Sequence, residues 1–449
     1  MYLYSTKNRD IQVDLQEAVF KGLPDDNGLY MPNEVPQLPA DFFEALPNMT
    51  LQEIGVAVCK HLFNGAIPDE DIEQIVNTAI DFPAPVVQLD KEKYVLELFH
   101  GPSLAFKDFG ARFMAQLMSY FNRDQEKDLT ILVATSGDTG GAVAAGFYQT
   151  PGIRVVILYP KGKVSALQEK QLTTLGHNIT AIEVDGTFDD CQALVKQAFL
   201  DQSLRSQFRI SSANSINISR LIPQSFYYFE AWKQVVNMTG DSNAKVVFCV
   251  PSGNFGNLTA GLLAHQMGLP VHHFIAATNV NDVVPVYLEG GVYEPRPSVR
   301  TISNAMDVGN PSNFARMIDV FAAAKGKGLA EDIAIWNRMK SIIIGYGIDD
   351  LATEDAVREV YGKYDYILDP HGAVGYLALE AWQKEHPNTC GVVLETAHPS
   401  KFKEDMDRIL GMDTPVPDRL AALANKQKEA YALGTEYAEF KAWMINTLP

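Results

Sequence analysis

The chain has 449 residues, 47% hydrophobic and 20% charged, an ordinary globular composition with room for two or three domains. Lys and Arg number 37 against 55 Asp and Glu, and the resulting net charge of −18 argues against nucleic acid or an anionic membrane surface as main partners. Four scattered cysteines form no CxxC pair, no run reaches the length of a membrane span and the start lacks a secretory leader, so a soluble cytoplasmic protein is expected.

Residues 1–90 read as an N-terminal cap region, Pro-rich in LPDDNGLYMPNEVPQLP and mostly helical elsewhere, as in LQEIGVAVCKHLF and DEDIEQIVNTAI. From about Asp128 onward, short β-branched runs alternate with helical patterns. DLTILVAT, RVVILYP and NITAIEV read as buried strands, each followed by a helix: GGAVAAGFYQ, SALQEKQLTTLG, and TFDDCQALVKQAFL with Thr187 as its N-cap. The strand KVVFCVP is followed by a Gly-rich turn and the helix LTAGLLAHQMG, then by the strand VHHFIAAT. TEDAVREVYGKY, AVGYLALEAWQKEH and KEDMDRILG are predicted helices, and GVVLET a strand. The alternation predicts an α/β fold with parallel sheets covered by helices. The aromatic run FYYFEAW, at helical spacing, reads as core.

One lysine stands out. In HGPSLAFKDFGARF, Lys107 lies between Phe106 and Phe109 behind a Gly-Pro-Ser turn. Its side chain either snorkels, with the stem on apolar surface and the ammonium in water, or is kept partly dry for chemistry. If both aromatics face the amine they supply the dry setting, and Asp108, at i+1 on a helix, should point away. Two Gly-rich turns look alike: SGDTG (136–140) after ILVAT, and SGNFG (252–256) after VVFCVP. Glycines allow close backbone approach, and a helix N-terminus offers unpaired N–H groups to an anion. Two such turns suggest two related α/β halves with a site between them. The second carries neutral Asn254 and Asn257, suited to a dianion. The first carries Asp138, which would repel one or simply cap a helix. No metal-ligand spacing such as HExxH occurs, so no metal is expected. His100, His371 and His398 read as structural hydrogen-bonders.

FKDF around Lys107, SGDTGG at 136–141, SGNFGN at 252–257 and TAHPSKF at 396–402 resemble the threonine synthase family in order and spacing. GLPDDNGLYMP (22–32) and NAMDVGNPSNFAR (304–316) resemble its longer bacterial and fungal branch. Where that family often begins Tyr-x-Ser-Thr-Arg-Gly, this chain reads Tyr4-Ser-Thr-Lys-Asn. The resemblance implies the fold of the tryptophan synthase β-subunit, that is, the pyridoxal-phosphate (PLP) fold type II. The expected organisation is a cap (1–90), a large cofactor-binding domain (91–110 with 225–449) and a smaller inserted α/β domain (111–224).

It also implies roles. Lys107 would carry PLP covalently and act as the catalytic amine; Gly253, Asn254, Phe255, Gly256 and Asn257 would hold the cofactor phosphate through backbone and amide N–H groups. Thr396 would bond the pyridine nitrogen, and Ser136, Gly137, Asp138 and Thr139 would sit near the substrate carboxylate. The implied reaction joins O-phospho-L-homoserine and water to give L-threonine and phosphate. The freed lysine amine would move protons at Cα and Cβ, the γ-phosphate would leave, and water would add at Cβ with the released phosphate as candidate base. Candidates for the substrate-phosphate pocket are Lys161, Lys163, Arg112, Asn214, Ser215 and Asn217, with Ser219, Arg220, Asn310, Ser312 and Asn313 as further options. A monomer or homodimer is expected. A serine or threonine dehydratase of the same fold, or a non-catalytic binder of phosphate esters, are the competing functions. A second phosphate pocket separates the first of these from threonine synthase.

Overall fold

A computed structural model describes residues 1–135, 137–322 and 329–448, with the backbone alone at Asp138, Leu329 and Ala330. The chain opens with a small antiparallel sheet of β1 (Tyr2–Ser5), β2 (Gln12–Asp14) and β3 (Tyr30–Pro32), in the order β2-β1-β3. These three- and four-residue strands hide among turn residues in a region that reads as mostly helical; the helices Leu51–Phe63 and Asp69–Ala79 follow as predicted. β4 (Val86–Gln88) and β5 (Lys93–Glu97) then begin the larger sheet. The chain leaves to build a second sheet from β6 (Leu129–Ala134), β7 (Ile153–Pro160), β8 (Ile179–Val184) and β9 (Arg209–Ser211). It returns with β10 (Val246–Pro251), β11 (His273–Thr278), β12 (Ile343–Gly347) and β13 (Cys390–Glu395). The larger sheet has the order β12-β11-β10-β13-β5-β4, parallel except for β4.

The last strand, β14 (Tyr431–Leu433), corrects the expected domain limits. It pairs in parallel with β8, giving the smaller sheet the order β14-β8-β7-β6-β9. The helix Tyr437–Thr447 packs with it, as Phe440, Trp443 and Met444 join the core around Leu132, Val156 and Ile182. Residues 431–448 therefore sit on the smaller sheet, not with the rest of 225–449 on the larger one. A local sequence pattern cannot announce that pairing, because the partner strand lies some 250 residues earlier.

Continuous burial along β7 and β10 explains their unbroken apolar runs: parallel strands covered by helices on both faces have no solvent side to mark with polar residues. Thr187 and Ser165 both cap their helices in reciprocal capping boxes, with Asp190 and Gln168. Each such cap contributes on the order of 1 kcal/mol. The aromatic run lies in the helix Phe226–Thr239, with Phe226, Tyr227, Tyr228 and Phe229 fully buried between the sheet and the N-terminal helices. Among the described residues no helix is long and apolar enough to cross a membrane.

One feature of this layout positions the site. The segments 98–106, 135–139, 161–165, 252–257 and 396–402 all leave the carboxyl ends of strands, β5, β6, β7, β10 and β13 respectively. In open α/β sheets that edge is where ligands bind.

Candidate active site

Lys107 is set in place by stitching to the segment after β13. The Phe106 N–H donates to Thr396 O (2.8 Å), the His398 N–H donates to Leu104 O (3.0 Å), and Ala105 bridges Ala397. Leu104 takes a left-handed conformation (φ 60°), an uncommon one for leucine, to make the turn. Lys107 then opens the helix Lys107–Asn122, half-buried, its Nζ 5.3 Å from the centre of the Phe106 ring. Phe109 does not share that task. Its ring packs against Phe82 and Tyr227 at 4.9 and 5.2 Å, so it faces the core and only Phe106 borders the cavity.

Asp108 turns away from the amine, as expected. Its carboxylate accepts the Ser103 N–H (2.9 Å), and a Cβ on Gly101 would lie 2.4 Å from Oδ2. Burial pushes the Asp108 pKa up to about 6, against the pull of hydrogen bonds from Ser103 and of the Lys401 and Arg112 charges.

The turn after β10 has the features of an anion cradle. Phe255 is left-handed (φ 60°), and a Cβ on Gly253 would strike Ala305 O at 2.4 Å, so this position admits no side chain. The helix Gly256–Gln266 starts inside the turn. None of the backbone N–H groups of 253–257 donates to a protein acceptor among the described residues. The side chains mostly brace the turn. Asn254 Oδ1 accepts the Ser312 N–H, Asn254 O accepts Asn313 Nδ2 (3.0 Å), and Asn257 Nδ2 donates to Pro251 O (2.8 Å). The Asn257 amide expected on a ligand instead bonds Pro251 O, and the donors left without a protein acceptor are those of the backbone.

A cavity of about 180 Å³ joins this cradle to Lys107, Thr396, His371 and Arg220. Thr396 stands at its wall with a hydroxyl that makes no protein hydrogen bond among the described residues. Amine, five unsatisfied N–H groups and hydroxyl around one cavity fit a phosphorylated aromatic aldehyde such as PLP. A second cavity of about 1110 Å³ opens between the two sheets and shares Lys107, Thr139, Ala305 and Phe402 with the first.

Behind Thr396 lies a buried acidic pair. Asp369 Oδ1 accepts from His371 Nδ1 (2.8 Å), and Oδ2 accepts the Ala397 N–H (3.1 Å), fixing the segment that carries Thr396. Glu395 Oε1 accepts the Asp369 N–H (2.6 Å), and burial beside Asp369 pushes the Glu395 pKa well above the usual carboxyl range. With its Nδ1–H on Asp369, His371 presents Nε2 as acceptor to the Ala305 N–H (3.2 Å). His398 is held down to about 4 by burial and the Arg419 charge, hence neutral and structural.

The remaining predicted residues divide. On the smaller domain Thr139 lines both cavities, and Gly137 (φ 144°) is the N-cap of the helix Asp138–Phe147, a role the sequence offered to Asp138. Ser136 lies outside the described residues, as does the Asp138 side chain. Lys163 lines the larger cavity; Ser215 lines the smaller and accepts from Asn254 Nδ2 (3.4 Å). Four candidates border neither cavity. Arg112 donates to Thr78 O (2.8 Å) and Ala79 O (2.7 Å) and pairs with Asp81 (2.7 Å). Asn217 is buried, donating to Val19 O (2.8 Å) and capping the helix Ile218–Leu221. Lys161 and Asn214 are exposed on loops. Arg220, a further option, is fully buried on the smaller cavity's wall, with Nη1 on Ala213 O (2.9 Å) and Nε unpartnered. Sequence reasoning missed Arg300, Asn304, Ala305 and Phe402, all lining residues, and the placing of His371 on the smaller cavity. NAMDVGNPSNFAR offered a signal for Asn304 and Ala305, and TAHPSKF one for Phe402.

Known proteins match this chain over nearly its whole length. The pyridoxal-phosphate dependent enzyme family matches residues 80–395, the threonine synthase N terminus 2–80, and the threonine synthase C-terminal region 372–444. Threonine synthase of Escherichia coli K12 is 44% identical over 447 residues, covering 99% of this chain and 100% of that one. The Saccharomyces cerevisiae enzyme is 35% identical, over 89% of this chain and 87% of its own. Among solved structures, PLP-bound threonine synthase from Brucella melitensis superposes with a TM-score of 0.91 at 35% identity, over 99% of this chain and 98% of that one. E. coli threonine synthase superposes with a TM-score of 0.86 at 43% identity, over 99% and 100%. The chain has the PLP fold type II and belongs to the threonine synthase family of pyridoxal-phosphate-dependent enzymes.

Proposed function

We propose that this chain catalyses the threonine synthase reaction, in which O-phospho-L-homoserine and water give L-threonine and phosphate, with pyridoxal 5′-phosphate as cofactor. The observation that carries the reading is the 44% identity to E. coli threonine synthase with almost nothing of either chain left over. PLP, when bound, supplies an electron sink for the charge that develops on the substrate. The chain supplies the rest. The N–H groups of Gly253, Asn254, Phe255, Gly256 and Asn257 hold the cofactor phosphate at a helix start, where they and the helix dipole favour an anion. Thr396 offers a hydroxyl to the pyridine nitrogen, with no carboxylate to keep that nitrogen protonated.

Lys107 borders both cavities, so its Nζ reaches a substrate in the larger one and carries protons at Cα and Cβ. Thr139, which lines both cavities, and Gly137 meet the substrate from the smaller domain, and the resemblance assigns the same role to Ser136 and Asp138. For the substrate phosphate we favour the candidates that line a cavity, Lys163 and Ser215, with Arg220 and Asn313 as further options, over Arg112, Lys161, Asn214 and Asn217. The larger cavity leaves room for a phosphate ester beside the cofactor, which a dehydratase would not need. We further infer a cytoplasmic monomer or homodimer, in keeping with scattered free cysteines and the acidic balance.

The test is incubation of purified protein and PLP with O-phospho-L-homoserine. Threonine and phosphate appearing one to one are expected. No phosphate release, with L-threonine or L-serine instead turned over to a 2-oxo acid, would make the protein a dehydratase.

A further inference from the structure

Arg316 is fully buried, and among the described residues it forms no ion pair. Its guanidinium is instead spread over neutral acceptors. Nε and Nη2 donate to Tyr30 O (3.2 and 2.9 Å), Nη2 also to Ile216 O (2.7 Å), and Nη1 to Asn313 Oδ1 (2.8 Å). A lone cation taken out of water carries a large desolvation cost. Burial lowers the Arg316 pKa to about 9, still above neutrality, so the charge persists.

The acceptors of that charge lead to one place. Asn313 uses its Nδ2 to hold Asn254 O, and a Cβ on Gly256 would sit 3.4 Å from that nitrogen. Ser312, next to it, donates its N–H to Asn254 Oδ1. Ile216 follows Ser215, which touches Asn254 from the other side. Tyr30 begins β3. One turn further along the helix Phe314–Phe321, Asp319 takes the Tyr4 hydroxyl of β1 and Arg9 Nη2 (3.0 Å). The small N-terminal sheet thus grips this helix twice, and the start of the helix grips the anion cradle.

We propose that Arg316 is a positioning residue for the cofactor phosphate: through Asn313 it holds the 253–257 turn in its anion-binding shape and places a buried positive charge behind it, with the N-terminal sheet as the fixed point. The proposal rests on the reading of that turn as the cofactor-phosphate site.

The experiment measures PLP affinity of the apoprotein for the wild type and for Arg316→Met, Arg316→Lys, Asn313→Ala and Tyr4→Phe, with pyridoxal, which lacks the phosphate, titrated in parallel. Arg316→Met is expected to raise the PLP Kd by about 30-fold or more, and Arg316→Lys by about 5- to 10-fold, since lysine keeps the charge but loses the fork. Tyr4→Phe should raise it by about 2- to 4-fold, because it removes one of the two grips. Pyridoxal affinity should hardly move, and the ³¹P resonance of bound PLP should shift in the Arg316 variants. Arg316→Lys combined with Asn313→Ala should be no worse than the worse single change, because both act along one path. An unchanged PLP Kd in folded Arg316 variants, or equal losses for PLP and pyridoxal, would overturn the proposal. If the Arg316 variants do not fold, Tyr4→Phe decides in the same way. Wild-type protein that fails to bind PLP would overturn the cofactor reading itself, a result distinct from tight binding in every variant.

Discussion

The two glycine-rich turns share a sequence pattern and differ in where their donors go. In the smaller domain the N–H groups of Gly137 and Gly140 both donate to Thr135 Oγ1, at 3.0 and 2.9 Å. In the larger domain the N–H groups of 253–257 have no protein acceptor among the described residues, and the side chains of Asn254 and Asn257 brace the turn from outside. One turn spends the donors of Gly137 and Gly140 on its own shape. The other borrows its shape from Ser312, Asn313 and Ala305 and keeps its donors for a ligand. The acid at 138 and the amides at 254 and 257 agree with that division, but the bonding makes it physical.

The comparison can be broken at several points. The largest effect belongs to Lys107, which serves both cavities: Lys107→Ala should cut turnover by at least about 10³-fold in a threonine-forming assay, as expected for loss of a proton-transferring group. Next comes the cradle. In Gly253→Ala the new Cβ meets Ala305 O, and overpacking of about 1–3 kcal/mol should weaken PLP binding by roughly 5- to 150-fold in an apoprotein titration. The smaller domain's turn should respond differently. Thr135→Val strands two N–H groups and should cost about 1–3 kcal/mol of stability in denaturant unfolding. It should raise KM for the substrate while leaving the PLP Kd within about twofold, a split that follows from the other turn being untouched.

The last effect touches neither turn directly and concerns the turn before Lys107. The folded-state pKa of Asp108, about 6, lies above its ordinary 3.8, so its contribution to stability is complete below about pH 4 and is lost as pH rises through 6. Relative to Asp108→Asn, the wild type should lose on the order of 3 kcal/mol between pH 4 and 7, as read from denaturant midpoints at the two pH values.

What the sequence made legible was local. Unbroken apolar runs, the N-cap at Thr187 and the two turns each lie within a dozen residues, and each stands where periodicity and turn chemistry place it. What it hid depends on distant partners. The Arg112 side chain is claimed by carbonyls 33 and 34 residues earlier. Helical spacing did carry a hint, since five residues rotate about 500°, leaving Arg112 about 140° away from Lys107. The wall at Ala305 and His371 forms only when 304–306, the helix Pro370–Gln383 and the turn at Gly253 meet, and no single segment encodes that meeting. β14 shows the same limit at the level of topology.

The role of Lys107 is tested most directly by treating the PLP-loaded protein with borohydride, digesting it and locating the pyridoxyl group by mass spectrometry. A single modified site, Nζ of Lys107, is the expected result. A pyridoxyl group on another lysine of the cleft, such as Lys163 or Lys401, or none at all, would contradict it.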